Sequence, residues 1–145
     1  MAALSFIAMY VLMYSMVDVY ANAYPNTNQF YMAGLMAAPM VIFELFLMGE
    51  MYKNKKLNVT ITIVSLVLLA GFFGAIRRQI AVSDEQFLKS MIPHHAGAIL
   101  MCEEAPIQDP EIQELCRGIT RSQQSEIDWM KAKLYRLERQ SPTRL

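Results

Sequence analysis

Charge is divided very unevenly along this chain. Residues 1–76 carry six ionisable side chains of the Lys, Arg, Asp and Glu types: Asp18, Glu44, Glu50, Lys53, Lys55 and Lys56. Residues 77–145 carry the remaining twenty, ten of each sign. A water-facing surface needs charge and a lipid-facing one excludes it, so the abrupt change near residue 77 separates a membrane part from a water-exposed part. The full chain has 145 residues, 54% of them hydrophobic, and a formal net charge of zero. Disorder through polarity is thereby excluded, and a neutral balance argues against a nucleic-acid partner, which would demand a basic excess.

Three apolar runs fit the first part. They predict membrane helices over about 2–22, 30–49 and 57–77, within a transmembrane region of residues 1–80. A helix needs roughly 20 apolar residues to cross the hydrocarbon. The first run is the shortest, and its loss is the main alternative. No Lys or Arg precedes it, so it does not read as a cleaved leader. The loop holding Lys53, Lys55 and Lys56 is expected on the cytoplasmic side, since Lys and Arg accumulate there. That places the amino terminus in the cytoplasm and the chain after residue 77 outside; Arg77 and Arg78 oppose this orientation. Met36 and Met40 step by four along the second run towards Glu44, the one ionisable group deep in a span. These three are candidates for a copper conduit, set against ordinary packing of adaptable thioethers among lipid-facing helices. Gly71 and Gly74 are expected to allow close helix approach.

The charged part, residues 81–140, reads as an antiparallel helical hairpin followed by a tail at 141–145. Ser83-Asp84-Glu85-Gln86 has the form of a capping box. Asp109-Pro110 starts a second helix, with a cap and a proline where its missing N–H costs nothing. Phe87, Met91, His94, Ala98 and Met101 are spaced 4, 3, 4 and 3, which predicts the seam of the first helix. Ile112, Cys116, Ile119, Gln123, Ile127, Met130, Leu134 and Leu137 form the stripe of the second. With the fold near Ile107, residues 91–95 are expected opposite 119–123, so that His94, His95, Gln123 and Glu126 fall near one level. Buried polar groups must be satisfied. A His–Gln or His–Glu bond that only sets helix register would do so. So would a metal ion: imidazole and thioether donors together suit copper better than magnesium, calcium or manganese. No nucleophile–base pair or phosphate-cradling glycine loop is present, so the chain is not expected to be an enzyme.

The run from Phe87 to Ile99, which reads FLKSMIPHHAGAI, is followed by Asp109-Pro110-Glu111 and by the segment from Gln123 to Met130, which reads QQSEIDWM. Together they resemble the bacterial family called domain of unknown function 305, over roughly residues 83–134. The three-span region, with Met51 to Asn58, resembles a membrane-bound subgroup. The resemblance implies an all-α protein with half of a ferritin-like four-helix bundle, exported or membrane-anchored, and in several members associated with copper. Carried onto this chain, it implies metal ligands at Met91, His94, His95, Met101, Glu126 and Met130. Gln123, Cys102 and Cys116 stand as neighbours or further donors, and whether the two cysteines pair is left open. One hairpin buries only one stripe, so a homodimer or docking on the membrane helices is expected to complete the bundle. The function expected is copper binding at the bacterial inner membrane, with copper-handling proteins as partners; the alternatives are an assembly module or a conduit.

Overall fold

The computed structural model describes residues 1–49 and 51–140. The expected tail at 141–145 lies outside the described residues, as does Glu50. Among the described residues the chain is helical with no strand, as expected of an all-α protein. The helices are α1 (Ala2–Leu12), α2 (Thr27–Leu47), α3 (Lys55–Arg78), α4 (Asp84–Glu104) and α5 (Pro110–Gln140), with 3-10 turns at Met13–Met16 and Tyr20–Asn22. Two compact units divide the chain. Met1–Met13 and Thr27–Ala81 form one; Tyr14–Asn26 and the chain from Val82 form the other.

In the first unit, α2 and α3 are each long and apolar enough to cross a bilayer. Their 21 and 24 residues rise about 31 and 36 Å at about 1.5 Å per residue, against roughly 30 Å of hydrocarbon. Only 22% and 11% of their apolar windows are buried, whereas the central helix of a soluble core would be mostly covered. The expectation of three long spans is corrected at the first: α1 has 11 residues, or about 16 Å of helix. The reason lies at Asp18, inside the expected 2–22 span. Its Oδ1 accepts from the Val19 N–H at 2.6 Å, a main-chain donor that a continuing helix would claim, and from the Asn22 side-chain amide at 2.7 Å.

Packing in this unit is aromatic. Phe6 meets Phe30 edge-on at 5.0 Å between ring centres, and Phe30 meets Phe72 at 6.3 Å. The close approach falls at Gly34, where an added Cβ would lie 2.5 Å from the Phe72 ring. At Gly71 and Gly74 an added Cβ would meet nothing within 4 Å, which corrects the expectation that these two glycines bring helices together. Helix α2 runs through Pro39. Met36 and Met40 are exposed, and half-buried Glu44 accepts a hydrogen bond from the Tyr52 hydroxyl at 3.3 Å.

In the second unit, both predicted helix starts form. Ser83 Oγ accepts from the Gln86 N–H. Asp109 Oδ1 accepts from the Glu111 and Ile112 N–H groups at 2.8 and 3.1 Å, and Pro110 is the first residue of α5. The pairs Lys89–Glu138, His95–Glu126 and Cys102–Cys116 run α4 and α5 in opposite directions. Lys89 Nζ also pairs with Glu85, and these two carboxylates hold its proton more firmly than an isolated lysine would. The core joins Leu88, Ile92, Ala96 and Ile99 of α4 to Ile127, Met130 and Leu134 of α5, with Val17 and Tyr24 packed against it.

This core corrects the seam expected for α4. The buried stripe runs one residue later, through Leu88, Ile92, His95 and Ile99, and Phe87, His94 and Met101 are exposed. Spacing alone cannot choose between the two stripes, since both step by four and three. Branched aliphatic side chains settle it, because Leu and Ile hide more apolar surface without a polar edge. Gly97, buried beside this stripe, lets the Met16 carbonyl approach to 3.1 Å from where a Cβ would stand. The expected register is corrected as well: His95 meets Glu126, not residue 119, because the pairs His95–Glu126 and Cys102–Cys116 centre the hairpin near residue 110, beyond the expected fold at Ile107.

Candidate functional site

The polar break in the α4–α5 core is built on His95. This residue is 8% exposed and both its ring nitrogens are engaged. Nδ1 lies 3.0 Å from the Met91 carbonyl oxygen, one turn back on the same helix. Nε2 lies 2.7 Å from Glu126 Oε2 on α5. Ser122 Oγ, one turn before Glu126, donates to its other oxygen at 3.0 Å. A carbonyl and a carboxylate only accept. The main-chain oxygen on one side and the carboxylate on the other thus fix the ring between α4 and α5.

The two hydrogen bonds from His95 and Ser122, His95's first, hold the Glu126 carboxyl below the ordinary glutamate range; partial burial opposes them weakly. A carboxyl with a lowered folded value stabilises the fold above its unfolded value, near about 4.3, and that stabilisation disappears as pH falls through the folded value. The α4–α5 pair is thus expected to hold a steady stability above about pH 5 and to weaken below about pH 4. Urea unfolding across this range reads the effect, and Glu126→Gln is expected to flatten it. A parallel slope in wild type and variant would remove the assignment.

The same geometry restricts the chemistry. A histidine acting as a general base needs a free nitrogen facing a substrate; here neither is free. The six ligands expected from the family resemblance do not converge either. Met130 is buried in the apolar core, and Met91 packs half-buried against it. His94 is exposed and its ring centre stands 6.1 Å from that of His95. Met101 is 55% exposed and lies ten residues beyond Met91, or about 15 Å along the helix. Gln123 is half-buried three residues before Glu126. Cys102 and Cys116 form a disulfide that ties the ends of α4 and α5, with a Cα–Cα distance of 5.2 Å, so neither offers a thiolate. Among the described residues no three His, Cys, Asp or Glu side chains are grouped to hold a metal ion. The residues present therefore do not fit one copper ion held by all six. His95 and Glu126 meet each other, and Met91 and His94 remain one turn apart on α4.

His95 and Glu126 were both named from the sequence; Ser122 and the Met91 carbonyl were not. Ser122 stands four residues before Glu126, the spacing of one helical turn, and that signal was available. The carbonyl was not legible, because nothing in a sequence marks which main-chain oxygen a ring will find.

The comparisons agree with the motif. The family model described as domain of unknown function DUF305 matches residues 74–135. An uncharacterized protein of Acanthamoeba polyphaga mimivirus is 35% identical over 136 residues, covering 90% of this chain and 86% of its own length. That relative is viral, so the family resemblance gives no bacterial origin to this chain. No solved structure matches. On the family model and on this similarity along most of both chains, the chain belongs to the DUF305 family.

Proposed function

We propose that this chain is a membrane-anchored helical assembly module, in which the His95–Glu126 pair fixes the register of α4 on α5 and a second copy covers the open face of α4. The observation that carries the reading is the double engagement of His95. His95 of the pair is buried while the Glu126 side chain is 53% exposed, and a polar pair set into a helix seam is best attested as a device that specifies one register. The stripe of Phe87, Met91, His94, Ala98 and Met101 keeps its heptad spacing on the half-buried to exposed side of α4, which is the pattern a helix partner reads. Two copies would give four helices, and no catalytic step is assigned to them.

Anchoring rests on α2 and α3, with α1 as a shorter apolar segment beside them. Two crossings return the chain to the face it left. Tyr14–Asn26 and the chain from Val82 then share one side, in keeping with their forming one unit. Lys53, Lys55 and Lys56 favour a cytoplasmic side for the α2–α3 connection. The second unit then lies outside, in the periplasm if the host is a bacterium, and a disulfide there agrees with an oxidising compartment.

A second reading has its own observation. His94 is exposed, has no hydrogen-bond partner among the described residues, and stands one turn from the Met91 thioether. Paired with the same two residues of a second copy, it would supply two imidazoles and two thioethers, a donor set for copper. The membrane conduit has less support, because Met36 and Met40 lie on the exposed side of α2.

One preparation tests both readings: the full chain purified in mild detergent without chelator, with mass by light scattering and metal by elemental analysis. The assembly reading expects a dimer that Phe87→Glu converts to monomer. The copper reading expects copper in the wild type and its loss in a His94→Ala, Met91→Leu variant that stays dimeric. A monomer at all concentrations removes the first reading, and a metal-free dimer that takes up no added Cu(I) removes the second.

A further inference from the structure

The first unit holds a cleft of about 460 Å³ between α1, α2 and α3. Phe6, Gly34, Ala38, Leu68 and Phe72 are among its apolar walls, and Ser65 is a polar side chain on it. Ser65 is 5% exposed, and its hydroxyl has no hydrogen-bond partner among the described residues. Helical serines in apolar surroundings usually return their hydroxyl to a carbonyl one turn back, as Thr60 does to Lys56 at 3.0 Å and Thr62 to Asn58 at 2.9 Å. Ser65 does not. A hydroxyl without a protein partner is free to donate to a ligand, and this one opens on a space of ligand size. Pockets of about 300–1,000 Å³, apolar with a few placed polar groups, are the ordinary form of a small-molecule site.

Depth narrows the ligand. Ser65 follows the start of α3 by ten residues and precedes its end by thirteen, so it lies about 15 Å from one end of the helix and about 20 Å from the other. At that level of a bilayer the acyl chain of a phospholipid carries no hydrogen-bonding atom. A lipophilic molecule with an oxygen on a flat ring does. The wall of aromatic rings is suited to such a ring, which prefers offset or edge contacts with Phe. The Phe72 ring can lie against the Gly34 backbone only because no Cβ stands there, and this keeps the wall flat. We propose that this cleft binds a lipophilic carbonyl compound, a quinone by class, whose carbonyl accepts from the Ser65 hydroxyl. The inference rests on the reading of α2 and α3 as membrane helices.

The test uses the full chain in lipid nanodiscs and menadione as probe, with calorimetric titration corrected by empty nanodiscs. Saturable binding is expected. Ser65→Ala is expected to weaken it about five- to tenfold, the worth of one neutral hydrogen bond. Ala38→Leu, which adds bulk to the cleft, is expected to abolish it. No saturable binding, or equal affinity in Ser65→Ala, overturns the proposal. So does displacement of menadione by palmitate with the same strength in wild type and Ser65→Ala, which would mark an acyl-chain groove. Alkaline carbonate extraction separates the two failures: a chain released from membranes sinks the anchoring and the cleft together, while an anchored chain that ignores menadione sinks the cleft alone.

Discussion

Replacing Ile127 with alanine is expected to produce the largest single loss of stability in the second unit. Ile127 is 0% exposed and packs with Ile92, also 0% exposed, in the cluster that joins α4 to α5. Truncating a fully buried isoleucine removes its transfer energy and leaves a cavity, together costing about 2–5 kcal/mol. A pair of helices with one shared stripe has little reserve against such a loss. At about 1.4 kcal/mol per factor of ten, the amides of α4 and α5 should exchange roughly 30-fold faster or more. Amide hydrogen exchange read by mass spectrometry measures this segment by segment, and α2 and α3 serve as the internal reference. Ile112→Ala is the control: it lies on the same expected stripe but is 48% exposed, so its cost should stay within about 0.5 kcal/mol. Equal effects from the two substitutions would mean that the core is not where these contacts put it.

Much of this fold could be read from residue order alone, and the errors have physical causes. The helix starts at Ser83 and Asp109 were legible because a cap is a local device: an oxygen two or three residues ahead of an unpaired N–H. The α5 stripe was legible where it counts, since Ile127, Met130 and Leu134 lie on the predicted positions. The α4 seam was misread by one residue. Two interleaved stripes share the same period there. Only packing against α5 distinguishes them, and packing is not local. The same limit explains α1. Its apolar run is continuous enough to suggest a span, yet Asp18 gathers Val19 and Asn22 into a turn, and the segment from Tyr14 to Asn26 joins the other unit. Composition reports solvent preference over about twenty residues and is blind to a single carboxylate that finds two donors.

The candidate site divides in the same way. Residue types announced that something polar sits in the α4–α5 seam, and a polar level in a heptad must be satisfied. Which partner satisfies it depends on register, and register depends on the length of a connection that patterns leave uncertain by a turn. With the hairpin centred at Ile107, His95 would face Ile119. With it centred near residue 110, where the Cys102–Cys116 bond holds it, His95 faces Glu126. One helical turn thus converts a cluster of unspent donors into a closed hydrogen-bonded pair, and moves the open imidazole from His95 to His94.

Breaking the Cys102–Cys116 bond is the other change with a large expected effect. The bond closes a loop of 15 residues, from a separation of 14, around the connection between α4 and α5. Chain-entropy reasoning gives about 3 kcal/mol for a loop of that size. Reduction by a strong dithiol should therefore accelerate exchange in the last turn of α4 and the first turns of α5 by up to about 100-fold. The Lys89 end should respond less, because Glu85 and Glu138 still hold it. A Cys102→Ser, Cys116→Ser variant should reproduce the reduced protein without reductant. The same bond reports orientation, since structural disulfides persist in oxidising compartments and are rare in reducing ones. Alkylation of intact cells with a membrane-permeant maleimide, followed by mass analysis, should find both cysteines protected until reductant is added. If both are alkylated directly, the second unit faces the reducing side, and the direction inferred from Lys53, Lys55 and Lys56 must be reversed. A protected pair whose reduction leaves exchange unchanged would show that the bond forms without contributing to stability, because the core around Ile92 and Ile127 already fixes the two helix ends.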